Sequence, residues 1–254
     1  MSGTITGLAT AACIFGGTLI GLALRRIVPQ DHLTPDSKDA VKVAAGMVSL
    51  MAALVLGLLV GSAKDKFDAT NAAITEGGAK TIMLDRVLAN YGPETKELRE
   101  QLRLGVAGML ALLWPEETRA TAAGLKAFEQ SPGVELLQQR LRMLKPETDV
   151  QRMLLAQAQE LTHDLMLIRW LQIERSQSSM PGAMQVILLF WLTMLYMSFG
   201  LFAPHNGTVV AAMLVGALSL ATAMFLIVEM NHPMQGALKV SSAPFVKALE
   251  YLGR

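Results

Sequence analysis

Few side chains in this sequence have the type and spacing to act on a solute, and most of them border one apolar stretch. Val43 to Ala63 carries no charge. Lys42 precedes it and Lys64 follows it, about 33 Å apart along a straight helix at 1.5 Å per residue. If this stretch faced an oligomer axis, two rings of lysine would stand at the mouths of a passage and favour anions. Asp39, Asp65 and Asp68 lie close enough in sequence to offset that field. Ser49 and Ser62 are the hydroxyls that could line such a passage, and the alternative for each is a bond to a carbonyl one turn back. Asp36, Lys38, Asp39 and Lys42 gather at one mouth, where a helix start at the membrane interface with local ion pairs is favoured over a role in ion or ligand passage.

Catalysis needs convergent acid, base or metal groups, and these are thin. His32, His163, His205 and His232 are scattered, with no pair at metal-ligand spacing on one helix. Glu160, His163 and Asp164 share a helix face, which a solvated polar surface also explains. There is no P-loop, no Gly-x-Ser-x-Gly, and only one cysteine, Cys13, which reads as a packed residue in a retained span. The sequence predicts no enzyme, no catalytic residue, no cofactor and no metal. Asp85 and Arg86 stand just before the turn Tyr91-Gly92-Pro93, where an ion pair or carbonyl contact would lock helix packing. Asn206 and Glu229, at the ends of apolar stretches, read as structural polar groups of the same kind.

The elements that carry these residues are set by where charge is missing. Gly3 to Leu24 is uncharged and stops at Arg25-Arg26, a first span rich in glycine and so suited to close helix packing. Asp36 or Ser37 is placed to cap the helix that enters the second span, Val43 to Ala63. No Gly-Pro break follows it. Phe67, Thr70, Ile74, Gly77, Thr81, Leu84, Leu88 and Tyr91 recur at three-four spacing, so the span is predicted to leave the membrane as an amphipathic helix. Ser176 to Val228 holds no Asp, Glu, Lys or Arg, and Ala203-Pro204-His205-Asn206-Gly207 divides it into spans near Gly182 to Phe202 and Thr208 to Val228.

Mean hydropathy of +0.39 is too apolar for an ordinary soluble domain. Of the 43 Asp, Glu, Lys and Arg residues, 31 lie between Lys64 and Arg175, 15 basic and 16 acidic, so the water-facing domain is this middle block. Its balance argues against nucleic acid, which needs a concentrated basic face. Pro93-Glu94-Thr95, Pro115-Glu116-Glu117 and Pro146-Glu147-Thr148 are helix starts. Leu104 to Trp114 is too short to span and reads as a buried helix or one resting at the interface. After Ser131-Pro132-Gly133 a short helix precedes a long one from about Glu147. Leu154, Ala158, Leu161, Leu165 and Ile168 on that long helix form a seam suited to the Phe67 to Tyr91 face. Pro233 and Gly236 break the chain before an amphipathic tail from about Pro244 to Leu252. No strand pattern of useful length occurs.

Four blocks resemble a known family. They are Pro35-Asp36-Ser37-Lys38-Asp39 leading into AALVLGLLVGSAK, the segment from Leu84 to Thr95, SFGLFAPHN from Ser198 to Asn206, and LIVEMNHPMQGALKVSSAP. In this order they cover nearly the whole chain and resemble the bestrophin-like domain family of bacterial integral membrane proteins. The resemblance implies a remote similarity to bestrophins, which are pentameric anion channels. One departure is that bestrophin necks are ringed by bulky apolar and aromatic side chains, whereas the second span here offers Leu, Val, Met and small residues.

The expectation is an all-α integral membrane protein with four transmembrane helices and an inserted helical domain. Its parts are residues 1–63, the extramembrane domain 64–181, the second helix pair 182–228 and the tail 229–254. Seven basic residues near span ends on the domain's side, against four on the other, favour a cytoplasmic domain and a multi-pass protein of the inner membrane. Its partners would be membrane lipid, further copies of itself and no nucleic acid. A bestrophin-like ion channel is the leading function. The alternative is a non-conducting scaffold or signalling protein whose helical domain binds an unidentified protein.

Overall fold

The computed structural model describes residues 3–29, 34–116, 134–177, 182–204 and 206–253, and among them every regular element is a helix. His32, Glu117, Ser131-Pro132-Gly133 and His205 lie outside the described residues. The helices are α1 (Gly3–Leu24), α2 (Pro35–Tyr91), α3 (Lys96–Leu113), α4 (Val134–Met143), α5 (Asp149–Gln177), α6 (Gly182–Phe202), α7 (Gly207–Asn231) and α8 (Ala243–Tyr251). Four of them, α1, α2, α6 and α7, are long and apolar enough to cross a membrane. The protein is an all-α membrane protein.

Helix α2 is a single element of 57 residues. No proline interrupts it, and it ends where Gly92 takes φ +143°, a conformation that disfavours a side chain. The Thr95 hydroxyl shares its one proton between the carbonyls of Leu88 (2.5 Å) and Gly92 (2.8 Å), and so reaches one of the open carbonyls of the last turn. Its start corrects the expectation that Asp36 or Ser37 is the cap. Thr34 fills that role: its Oγ1 accepts from the Ser37 amide at 3.3 Å and its carbonyl from the Lys38 amide at 3.0 Å. Pro35 explains the shift, since proline is best placed at the first helical position and so fixes the cap one residue earlier.

The chain forms two compact units, Met1–Phe67 with Ser179–Lys239 and Asp68–Ser178 with Val240–Arg254. In the first, α1 turns one face of small residues inward: Gly3, Gly7, Thr10, Ile14, Gly17, Thr18 and Gly21 are buried. A Cβ on Gly17 would lie 2.7 Å from the Thr193 carbonyl, and one on Gly21 would collide with the Met197 carbonyl, so α1 and α6 touch at backbone distance. The residue numbers rise together, hence the two helices run parallel. Gly7 lies against Phe225 and Gly3 against Glu229, so α7 runs antiparallel to α1. At the end of α6, the Arg25 guanidinium donates to the Ala203 carbonyl. Helix α2 joins this core through Ala45, Ala52, Leu59 and Ala63, which meet a cluster including Ile14, Leu188, Leu192, Leu195, Met224 and Ile227.

In the second unit the amphipathic continuation of α2 is as the spacing predicts. Thr70, Ile74, Gly77, Thr81, Leu84, Leu88 and Tyr91 are all buried. Helix α5 runs antiparallel beside it, joined by Lys80 to Asp164 at 2.5 Å and by the Gln151 side chain to the Tyr91 carbonyl at 3.2 Å. Of the expected seam, Ala158 and Leu161 are buried, while Leu154, Leu165 and Ile168 are half-buried. Helix α3 buries Val106, Leu110 and Ala111, followed by Trp114, whose indole donates to the Val240 carbonyl at 2.9 Å. That bond anchors the tail. Pro244 and Phe245 then seat on Gly78 and Gly77, where a Cβ would stand 2.9 and 3.0 Å from them.

Gly21→Ala should destabilise the membrane unit by about 1–3 kcal/mol through overpacking against a backbone carbonyl that cannot rotate away. Gly16→Ala is the matched control, because nothing lies within 4 Å of its Cβ. Thermal unfolding of the two variants in detergent compares them; equal melting temperatures would contradict the packing described.

Candidate functional site

The apolar half of α2 buries only one edge. Ala45, Ala52, Leu59 and Ala63 face the core, and the opposite side is open. Lys42, Gly46, Leu50, Ala53, Gly57, Gly61 and Lys64 follow at intervals of three or four residues and are all exposed, so they form one stripe. Leu50 is 75% exposed, and Leu54 beside it 60%. A Cβ added at Gly46, Gly57 or Gly61 would meet nothing within 4 Å. One chain thus presents a long, uncharged, partly glycine wall with a lysine at each end.

The candidate residues distribute unevenly over this wall. Lys42 and Lys64 lie on the stripe, and Ser62 is exposed next to it. Ser49 is half-buried, and its hydroxyl donates to the Ala45 carbonyl at 2.8 Å, the backbone bond weighed as its alternative. Lys42 pairs with Asp39 at 3.0 Å. Both members are largely exposed, so the pair contributes at most about 1 kcal/mol and leaves the lysine charge only partly offset. Asp36, exposed in the first turn, sits at the positive end of the α2 dipole.

The remaining polar candidates hold structure together. Asn206 caps α7, its side-chain oxygen accepting from the Val209 amide at 2.8 Å. Glu229 is buried at the other end of α7, where its Oε2 accepts from the amides of Ala237 (2.5 Å) and Leu238 (3.3 Å). Its carboxylate lies against Gly3 and Gly236, and Gly236 has φ +87°. A side chain at either glycine would collide with it.

Asp85 is 1% exposed. Arg99 grips it with Nε on Oδ1 at 2.8 Å and Nη2 on Oδ2 at 3.0 Å, while the Arg86 guanidinium reaches Oδ2 at 2.7 Å and the Tyr251 carbonyl at 2.9 Å. Burial by itself pushes the Asp85 carboxyl up. The bonds from Arg99 and then Arg86, with their charges, outweigh it and hold the group below its ordinary value of 3.8. Sequence reasoning found Asp85 and Arg86 but missed Arg99. Its only signal was the helical register that puts Arg99 one turn into the helix after Pro93-Glu94-Thr95. The bond from Lys80 to Asp164 was also missed; it raises the Lys80 pKa, the Asp164 hydrogen bond contributing most. Among the described residues no group of three or more His, Cys, Asp or Glu could hold a metal ion.

An all-helical membrane protein with one helix open along a long stripe, and with the buried carboxylates among the described residues at the end of a span (Glu229) or beyond it (Asp85), is the class that fold and site define. Residues 12–245 match the family model of the bestrophin-like domain, and the chain belongs to that family. Solved structures agree in fold. A bacterial bestrophin homologue from Klebsiella pneumoniae, carrying a point substitution, is 14% identical with TM-score 0.66, each chain covered over 96%. A membrane protein carrying a different substitution is 15% identical with TM-score 0.66 at the same coverage. A further variant of the Klebsiella homologue is 14% identical with TM-score 0.60, covering 94% of this chain and 97% of that one. No curated protein matches the sequence.

Arg99→Ala leaves the Asp85 carboxylate buried with a weaker partner and should cost about 3 kcal/mol of stability. The pH dependence follows from the sign of the Asp85 shift. Because its folded pKa is depressed, its contribution is complete above the ordinary value of 3.8 and is lost as pH falls through the depressed one. Asp85→Asn should therefore flatten the acid limb of the melting temperature against pH. An unchanged acid limb would remove Asp85 from that role.

Proposed function

We propose that the chain is one subunit of a bestrophin-like oligomeric ion channel in which the open stripe of α2 faces the symmetry axis. The observation that carries this reading is the stripe itself. A helix that meets its own core along one face, Ala45, Ala52, Leu59 and Ala63 with Val48, Val55 and Leu56 beside them, and leaves three glycines open away from it, is built to line something other than its own subunit. Lipid alone gives no reason to keep glycine there, since glycine in a helix costs about 1 kcal/mol relative to alanine. Repeated around an axis, the stripe forms a narrow apolar passage at Leu50 and Leu54 between wider glycine levels. Lys42 and Lys64 form a ring at each mouth, and two rings of that sign favour anions.

The spans carry no charge between their ends, which supports passive flow over coupled pumping. Nothing in this mechanism forms or breaks a covalent bond, so the protein is read as a non-enzyme. The excess of basic residues near span ends on the side of the helical unit supports a multi-pass protein of the inner membrane with that unit in the cytoplasm.

A bulky side chain on the stripe tests the reading without touching the fold. Gly57→Leu places its Cβ in open space and a better helix former in place of glycine, so melting temperature should hold or rise. Anion flux in liposomes should fall at least tenfold. Lys42→Glu with Lys64→Glu should shift the preference from anions towards cations. Undiminished flux through Gly57→Leu, or a symmetric assembly that conducts nothing, would move the stripe out of the passage and leave the scaffold reading.

A further inference from the structure

The exposed face of α5 changes character along its length. Glu160 and His163 are exposed on it; one turn later come Leu167 at 51%, Trp170 at 57% and Leu171 at 42%, with Ile173 at the side. Neither the core of the second unit nor the proposed passage uses these residues. We infer that the last turns of α5 rest on the lipid headgroups, with Trp170 as an interfacial anchor.

Three observations select lipid over other occupants. First, α5 ends at Gln177 and the span α6 begins at Gly182; five residue steps reach at most about 18 Å, so the patch is continuous in chain with a helix that enters the bilayer. Second, the patch centres on tryptophan, whose apolar ring and single N–H donor suit the boundary between hydrocarbon and water. Third, Glu174 is exposed on the same side one turn beyond Trp170 and Leu171. The buried centre of a contact between two copies is depleted in such charges, whereas headgroup depth accommodates them. The same carboxylate excludes deep insertion.

Fluorescence of the full-length protein in phosphatidylcholine vesicles tests this. Trp170→Phe changes an exposed side chain, so the difference between wild-type and variant spectra isolates Trp170 from Trp114 and Trp191. The expected difference emission is blue-shifted from that of tryptophan in water and loses most of its intensity with lipids brominated near the glycerol, less with lipids brominated near the chain ends. Blue-shifted emission untouched by either lipid would mean protein covers the patch, as in contact with a second copy. Red-shifted emission quenched by iodide would mean water covers it, and stronger quenching from the chain ends would mean deep burial; each of these overturns the inference.

Discussion

Packing of α1 against α6 at backbone distance, with α7 laying the Phe225 and Glu229 side chains on Gly7 and Gly3, is the constraint on which the membrane unit depends. In lipid, apolar side chains gain little by leaving one hydrocarbon surrounding for another, so helices hold together through close van der Waals contact. Glycine makes that contact possible. At Gly17 and Gly21 on α1, and at Gly200 on α6, no atom stands between one helix and a carbonyl of the other. A cost comes with this arrangement, because three helices that fit so closely leave no room for a fourth at the centre. Helix α2 meets the group along one face, at three- and four-residue steps from Ala45 to Ala63. Its open stripe is the complement of the tight contact elsewhere.

The same helix then serves a second environment under different rules. Beyond Lys64 the positions that were apolar in lipid give way to a face of Thr70, Ile74, Gly77 and Thr81, buried by water-driven packing in the second unit. Thr81 returns its hydroxyl to the Gly77 carbonyl at 2.7 Å, so burying it leaves no unmet donor. Gly77 and Gly78 admit the tail. Near the end of the helix a buried carboxylate would be costly alone, and Asp85 is tolerated because two guanidinium groups satisfy both of its oxygens. Arg86 also holds the Tyr251 carbonyl, so the network that satisfies Asp85 fixes the tail helix as well.

Much of this was legible in the sequence, for identifiable reasons. Missing charge up to Arg25 marks where α1 ends, and three-four spacing from Thr70 to Tyr91 names a buried face, because both signals are periodic or cumulative along one element. Partners across elements leave no such trace. Arg99 is one of several arginines in the polar domain, and only the folded approach of α3 to α2 selects it for Asp85. Thr34 was missed for a local reason: Asp36 and Ser37 are equally good acceptors by residue type, and the proline between them and Thr34 decided the register. The stripe on α2 was half visible. Its lysines were found from the edges of the span, but which face they share depends on which face the core uses, and the core alanines look like every other alanine in the sequence.

On the channel reading, the division of labour along α2 fixes where selectivity can arise. No charged or strongly coordinating group lies between Lys42 and Lys64, so the passage cannot hold an ion by replacing its hydration shell with fixed ligands. Discrimination by sign must come from the ends, where the lysine rings act through solvent and weaken as salt screens them over about 10 Å at 0.1 M ionic strength. Discrimination by size must come from the middle, where Leu50 and Leu54 narrow a passage that glycine otherwise widens. Conduction through such an apolar throat then depends on whether water wets it, and a change in side-chain volume at these levels acts on flow more strongly than a change in charge at the same place.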